Sequence, residues 1–277
     1  GRIVTAVDAY QADVLIVDGT IVAIGRDLSA AEAEIIDAAG RMVIPGGVDP
    51  HTHLENPSGV TITSDDFLTG SRAAAVGGTT TIIDFAKQNK GETLHYAYDT
   101  WQAKARQRTC VDYGFHVIVV EADEARLAEV PDLIAAGVTS VKMYMAYRGR
   151  MMVDDGTLFR TMLAFKANGG LVALHAENGD VIDVLVRQAI AAGNVALRYH
   201  AVTRPPILEA EAVHRAICIA EVAESPVYFV HLSSRQALEE LQRGRDRGLP
   251  VFAETCPHYL ILNDSRYEAP GFEAAKY

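Results

Sequence analysis

The chain has 277 residues, a formal net charge of −11 and a calculated pI of about 5.3. A surface that acidic repels phosphate backbones and argues against a nucleic-acid partner. No apolar run is long enough to span a bilayer, and the first residues lack the charged-then-apolar pattern of a secretory signal. The three cysteines, Cys110, Cys218 and Cys256, are far apart and odd in number, which reads as reduced thiols of a cytoplasmic protein rather than a disulfide framework or a thiolate metal site.

Residues 1–44 hold short β-rich pieces, "RIVTAV", "ADVLIVDGTIVAIG" and "RMVIP". Asp18-Gly19 between two apolar runs is a hairpin signal. This segment is expected to be a small antiparallel β unit. From residue 45 to 277 the rhythm changes. Extended runs at 47–53, 79–85, 112–120, 140–146, 171–176, 227–233 and 250–256 alternate with Ala- and Leu-rich helical stretches, several of which stop at Gly. Alternating β and α predicts a parallel sheet, α/β in class. Seven such units favour a (β/α)8 TIM-type barrel over an open doubly wound sheet, because no Gly-rich phosphate loop follows the first strand. Seven strands do not close an eight-strand barrel, and Gly1 stands where an initiator Met would be. The expectation is a barrel incomplete at its C-terminal end, in a segment of a longer polypeptide.

Active-site groups of such barrels cluster at the C-terminal strand ends. Strand one ends in His51 and His53, strand four carries Lys142, strand five His175 and strand six His231. In His51-Thr52-His53 the period of two puts both imidazoles on one side of the strand, and neutral imidazoles so placed suit a metal such as zinc. Each histidine alone has a bland reading as a hydrogen-bonded core or surface residue. The joint pattern across three strand ends is what points to a metal. His95, His200 and His214 read as solvent-facing, His116 as a satisfied core histidine, and His258 as a near neighbour outside the set.

Lys142 lies within the apolar run "GVTSVKMYMAY". An ammonium there would repel a metal pair, and burial would lower its pKa. A neutral amine can add carbon dioxide and become an anionic carbamate that bridges two ions. The ordinary alternative is a lysine paired with a buried carboxylate such as Asp84.

The ordered motifs "PGGVDPHTHLE", "GGTTTIIDF", "TSVKMYMAY", "LHAENGD", "HAVTRPP", "VHLSS" and "ETCPHYL" resemble the D-hydantoinase/dihydropyrimidinase group of the amidohydrolase superfamily. The resemblance implies a metal-centred barrel, a small β-sandwich of which residues 1–44 are part, and a homotetramer. It implies two divalent ions, zinc first and manganese or cobalt otherwise. His51 and His53 would bind the buried ion, His175 and His231 the exposed one, and carbamylated Lys142 would bridge them. Tyr147 would hydrogen-bond the carbonyl of a small cyclic ureide as its oxyanion develops. The implied reaction is hydrolytic opening of 5-substituted hydantoins or dihydropyrimidines to N-carbamoyl amino acids. The loops 54–64 and 145–154 would line the pocket, with Leu54 and Met145 against the substrate and Met151 and Met152 as further apolar candidates. The family's general base, an aspartate at the end of strand eight, has no counterpart here, so residues 1–277 alone are expected not to be a competent hydrolase. Two rivals remain. A dihydroorotase or allantoinase is disfavoured by "HLENPSG", which lacks the arginine that dihydroorotases place after H-x-H. A non-enzymatic dihydropyrimidinase-related scaffold is disfavoured by the retained ligand set.

Overall fold

Seven parallel strands in sequential order make the central sheet of the computed structural model, which describes residues 1–270 and Glu273. Residues 271–272 and 274–277, the last of the 45–277 segment, lie outside the described residues. The strands are β1 (Gly47–Thr52), β2 (Thr79–Lys87), β3 (Asp112–Ile118), β4 (Ser140–Tyr144), β5 (Leu171–His175), β6 (Val227–Phe229) and β7 (Val251–Ala253). Every neighbouring pair is parallel, and the sheet curls into a TIM-type part-barrel, as the alternation predicts. Among the described residues its edges are β1 and β7.

The strands stop earlier than the apolar runs suggest. β4 ends at Tyr144 and β6 at Phe229. Beyond those points the backbone turns, with Tyr147 at φ 64° and His231 at φ 40°. Positive φ is rare for bulky L-residues and costs free energy that the surroundings must supply.

The helices start where side-chain oxygens take up free backbone N–H groups. Asp66 caps Phe67–Val76, Thr93 caps Leu94–Ala105, Asp154 caps Asp155–Ala167, Asn178 caps Gly179–Ala191 and Ser234 caps Arg235–Asp246. Their apolar stripes cover the sheet. Phe67, Trp101, Leu158, Phe165, Ile217 and Leu241 join Val117, Val141, Val172, Val227 and Val251 in one continuous core. Strands buried by such helices read as continuous apolar runs, which is why they were legible.

The N-terminal segment differs from the expectation in one respect. Arg2–Val4 pairs antiparallel with Ala9–Gln11 but parallel with Met42–Val43, so the unit is not wholly antiparallel. The hairpin of Asp13–Val17 and Thr20–Gly25 forms as predicted. Asp18 and Gly19 have φ 49° and 74°, the two positive values that a type I′ turn needs. Ile16, Ile21, Ile24, Met42 and Ile44 of this segment are exposed.

One close approach carries the geometry of the later site. Gly179 opens the helix after β5, and its N–H donates to Met145 O at 3.1 Å. A Cβ there would lie 2.7 Å from Ala146 Cα and 2.9 Å from Met145 O, at the base of the loop bearing Tyr147. Gly179→Ala must therefore push backbone apart and is expected to cost ~1–3 kcal/mol in urea unfolding. Gly114→Ala, whose Cβ meets nothing within 4 Å, should be tolerated.

Candidate metal centre

β1 is irregular at its C-terminal end, where its register against β2 shifts between Asp49 and Thr52. Pro50 is accommodated because β1 is an edge strand, and its carbonyl accepts from the ring of His116 at 3.0 Å instead of from a ladder partner. The bend aims His51 and His53 at the barrel axis. Their ring centroids are 5.2 Å apart, and both rest on Phe85 of β2, at 4.6 and 4.7 Å.

Asp84 holds this strand end in place. Its carboxylate accepts from Thr52 Oγ1 at 2.8 Å, Leu54 N at 2.8 Å, Phe85 N at 2.8 Å and Trp101 Nε1 at 3.2 Å. Burial raises its pKa to about 6, against the lowering effect of those donors, so it is ionised at neutral pH and suits four donors. Thr52 and Leu54 flank His53, which makes Asp84 a positioning residue. Asp84→Asn sets an NH2 among N–H and O–H donors. The expected cost is ~1–3 kcal/mol, read by urea unfolding, together with a displaced His53 ring resonance.

Lys142 on β4 is buried, with 1% of its surface exposed. Its Nζ faces the rings of Phe85 at 5.0 Å and Tyr144 at 4.9 Å. It forms no ion pair among the described residues, so pairing with Asp84 is not its role. Burial lowers its pKa to about 7, opposed by the charge of Glu254. A large fraction is therefore free amine near neutrality.

His175 closes β5 and His231 lies two residues past β6. His175 Nδ1 and His231 Nε2 are 3.1 Å apart, and the His51 and His231 rings are 5.4 Å apart. His175 Nε2 meets Glu177 at 2.6 Å. Burial and neighbouring positive groups lower His53 to about 3 and His231 to about 2. Their rings are thus neutral and carry lone pairs. His53 Nδ1 is buried with no hydrogen-bond partner.

The four histidines and Lys142 therefore gather at one end of the sheet. Among the described residues, no three His, Cys, Asp or Glu side chains are grouped closely enough to hold an ion as they stand. The donors are turned to one another, His175 to His231 and Glu177, and His51 to Glu254. The residue set fits a metal through its orphaned His53 nitrogen, its neutral rings and an amine free of any carboxylate.

Tyr147 packs 5.1 Å from the His175 ring, and its hydroxyl stays protonated because burial, then Glu177, raises its pKa. Leu54 and Met145 are 8% and 2% exposed and belong to the main core, with Leu54 packed on Gly70. His116 is satisfied on both nitrogens, by Ser140 Oγ at 2.5 Å and Pro50 O.

Two residues escaped the sequence reading. Glu254, just past β7, engages His51 Nδ1 and accepts from Tyr228 OH at 3.0 Å. Glu177 holds His175. The available signal was position alone, a carboxylate at a strand end and a carboxylate two residues beyond a histidine.

Residues 40–237 match the dihydro-orotase-like family. The chain is 53% identical to a D-hydantoinase of Geobacillus stearothermophilus and 51% identical to one of Streptomyces coelicolor, in each case over all of this chain and 59% and 60% of the relative. The structure superposes on a dihydropyrimidinase of Brevibacillus agri with a TM-score of 0.98 at 51% identity, covering all of this chain and 60% of that one. A Thermus D-hydantoinase gives 0.97 at 33% identity. The chain thus spans about 60% of the length of the relatives it matches. With the family match running through the first six barrel strands and all five predicted ligand positions, the chain belongs to the dihydro-orotase-like family, and the relatives it resembles at 53% and 51% identity over its whole length are D-hydantoinases.

Proposed function

We propose that this chain carries the metal-binding core of a cyclic amidase that opens 5-substituted hydantoins or dihydropyrimidines by hydrolysis, giving N-carbamoyl amino acids. The observation that carries the reading is the gathering of His51, His53, Lys142, His175 and His231 at one sheet end, with Lys142 buried and free of a carboxylate partner. The amidohydrolase family is metal-dependent. Two divalent ions, zinc in the first instance, would supply Lewis-acid activation of a water and of the ring carbonyl.

His51 and His53 would hold the buried ion, and His175 and His231 the exposed one. Lys142 reacts as the free amine. Its nitrogen lone pair would form the N–C bond to carbon dioxide, with the ammonium-type proton passing to water, and the resulting carbamate would be an anionic group able to help hold the two ions. Asp84, Glu254 and Glu177 keep the imidazoles oriented, the role that carboxylates take behind metal-ligating histidines. Tyr147 donates its hydroxyl proton in a hydrogen bond to the substrate carbonyl oxygen, where negative charge grows. Its position beyond the end of β4, at φ 64° and 5.1 Å from the His175 ring, supports that role.

The partner is a small cyclic ureide. The whole protein is expected to work as a cytoplasmic homotetramer, as the family resemblance implies; its three free cysteines fit a reducing compartment, and among the described residues no helix is long and apolar enough to cross a membrane.

The test is metal loading with and without bicarbonate. Bicarbonate should raise zinc uptake to two equivalents, and native mass spectrometry should show one added carbon dioxide on Lys142. Lys142→Ala should lose both. An unmodified ammonium in a fully loaded site would refute the carbamate. Failure of the intact enzyme to open 5-phenylhydantoin or dihydrouracil would refute the substrate class.

A further inference from the structure

Next to the histidine cluster, the ends of β2 and β3 and the loop after β4 flank a half-open recess of about 160 Å3. Lys87, Lys90 and Arg150 line it, together with Gln88, Asn89 and Met151. We propose that this recess is a binding subsite for one small oxyanion, a carboxylate or inorganic phosphate, adjacent to the metal-type cluster and distinct from it.

Three cations around one recess run against the net charge of −11. None of the three has an ion pair among the described residues. Lys87 Nζ and Lys90 Nζ reach only carbonyl oxygens, of Pro57 and Gly149, each at 3.4 Å. The nearby acids are already engaged. Glu92 accepts from Asn89 N at 2.8 Å and from Asn89 Nδ2 at 3.1 Å. Glu121 accepts from Gly91 N at 2.7 Å and pairs with Arg126 at 3.2 Å. No carboxylate among the described residues is therefore paired with any of the three cations that line the recess.

The floor is fixed. Gln88 is 1% exposed, and both ends of its amide are used. Its Oε1 accepts from Val120 N at 2.8 Å and Glu121 N at 3.1 Å, and its Nε2 donates to Glu92 O at 2.9 Å and Glu121 O at 3.2 Å. This clamp ties β2 to β3 and sets where Lys87 and Lys90 emerge. The remaining wall, Met151, packs with Val120 on Phe85, Ile118 and Tyr144. That apolar cluster separates the recess from Lys142 and the histidines.

Size and charge select the ligand. The volume holds about five waters at ~30 Å3 each, below the ~300 Å3 of an ordinary organic ligand pocket. An oxyanion head fits, with the guanidinium fork of Arg150 for two oxygens and the lysines as point charges. The charges also reach the neighbouring site, since Lys87 acts on His53 and Arg150 on Tyr147. The anion has two sources, free phosphate or the carboxylate that ring opening releases. The second source rests on the function proposed above.

The experiment is calorimetric titration of the metal-free full chain at low salt, once with inorganic phosphate and once with N-carbamoylglycine. One-site binding in the millimolar range is expected for at least one of them. Lys90→Gln combined with Arg150→Gln should weaken it about tenfold or more, Lys90→Arg should retain it, and thermal unfolding should be unchanged. Phosphate binding alone identifies a phosphate site, and N-carbamoylglycine alone a carboxylate site. Absence of saturable binding of both overturns the proposal. So does binding that survives the double variant, or binding that is lost in Lys142→Met instead. The metal-free protein performs no turnover in this assay, so failure of the hydrolase reading leaves the result standing, and the reverse.

Discussion

Lys142→Met should leave the metal-free protein more stable than the wild type and, in the intact enzyme under the proposed function, abolish activity. Burial holds this lysine at about 7 instead of 10.5. At neutral pH the folded chain must either lose the proton or keep a charge away from water, and linkage puts that penalty at ~4 kcal/mol. Methionine is of similar length, has no charge and adapts to irregular apolar surroundings. The surroundings here are the rings of Phe85 and Tyr144. The expected gain is ~2–4 kcal/mol in urea unfolding at pH 7. The wild type should recover the difference as pH rises from about 7 to 10.5, because over that window the unfolded chain binds the extra proton and the folded chain does not. The variant should lack that slope. In the intact enzyme turnover should fall by more than about a hundredfold, since loss of even an outer partner of a metal ligand costs 10–100-fold. A variant that is less stable at pH 7, or one that still turns over normally, would sink the reading. Function retained at a cost in stability is the ordinary trade at an active site.

Acid should unfold the metal-free protein early. His53, His116 and His231 are held neutral to about 3, 4 and 2, chiefly by burial. In the unfolded chain each titrates near 6.5. As pH falls below 6.5, the unfolded state gains protons that the folded state refuses, so stability is full above 6.5 and is lost toward the folded values. At pH 5 each fully shielded imidazole contributes up to ~2 kcal/mol of loss. These rings are only partly shielded, and the expected total between pH 7 and pH 5 is ~3 kcal/mol or more. Glu177 and Glu254, lowered by their histidine hydrogen bonds, act in the same direction at lower pH. Asp84, raised to about 6, acts in the opposite sense and blunts the fall. Urea unfolding at pH 7, 6 and 5 checks this, and His231→Asn should flatten the profile. A loss of 3 kcal/mol is a large part of the ~5–15 kcal/mol that holds a domain together. A flat profile between pH 7 and 5 would mean that these imidazoles are freely hydrated.

Much of this was legible in the residues because it is local or periodic. A period-two run carries its own side-chain directions, which is why His51-Thr52-His53 already placed two imidazoles together. The β–α alternation, the Asp18-Gly19 turn and the glycines that stop the helical stretches are short-range signals of the same kind. The partners of the cluster were not legible. His51 and Glu254 meet across a separation of 203 residues, and Trp101 and Asp84 across 17. No spacing rule relates such pairs. Only the curl of the sheet brings β1 near β7 in space.

The sequence by itself determined the βα order, the residues at the strand ends and, through its motifs, the family. The tertiary structure decided which of those residues face one another and which face the core. It sent Leu54 and Met145 into the apolar interior, assigned Asp84 to Thr52 and Trp101 instead of Lys142, and left Lys142 among aromatic rings with its charge destabilised. The reason is physical. Strand and helix patterns are written in neighbours a few residues apart, whereas desolvation and hydrogen-bond partners depend on every element that packs against a group, and those elements are set only when the sheet closes around it.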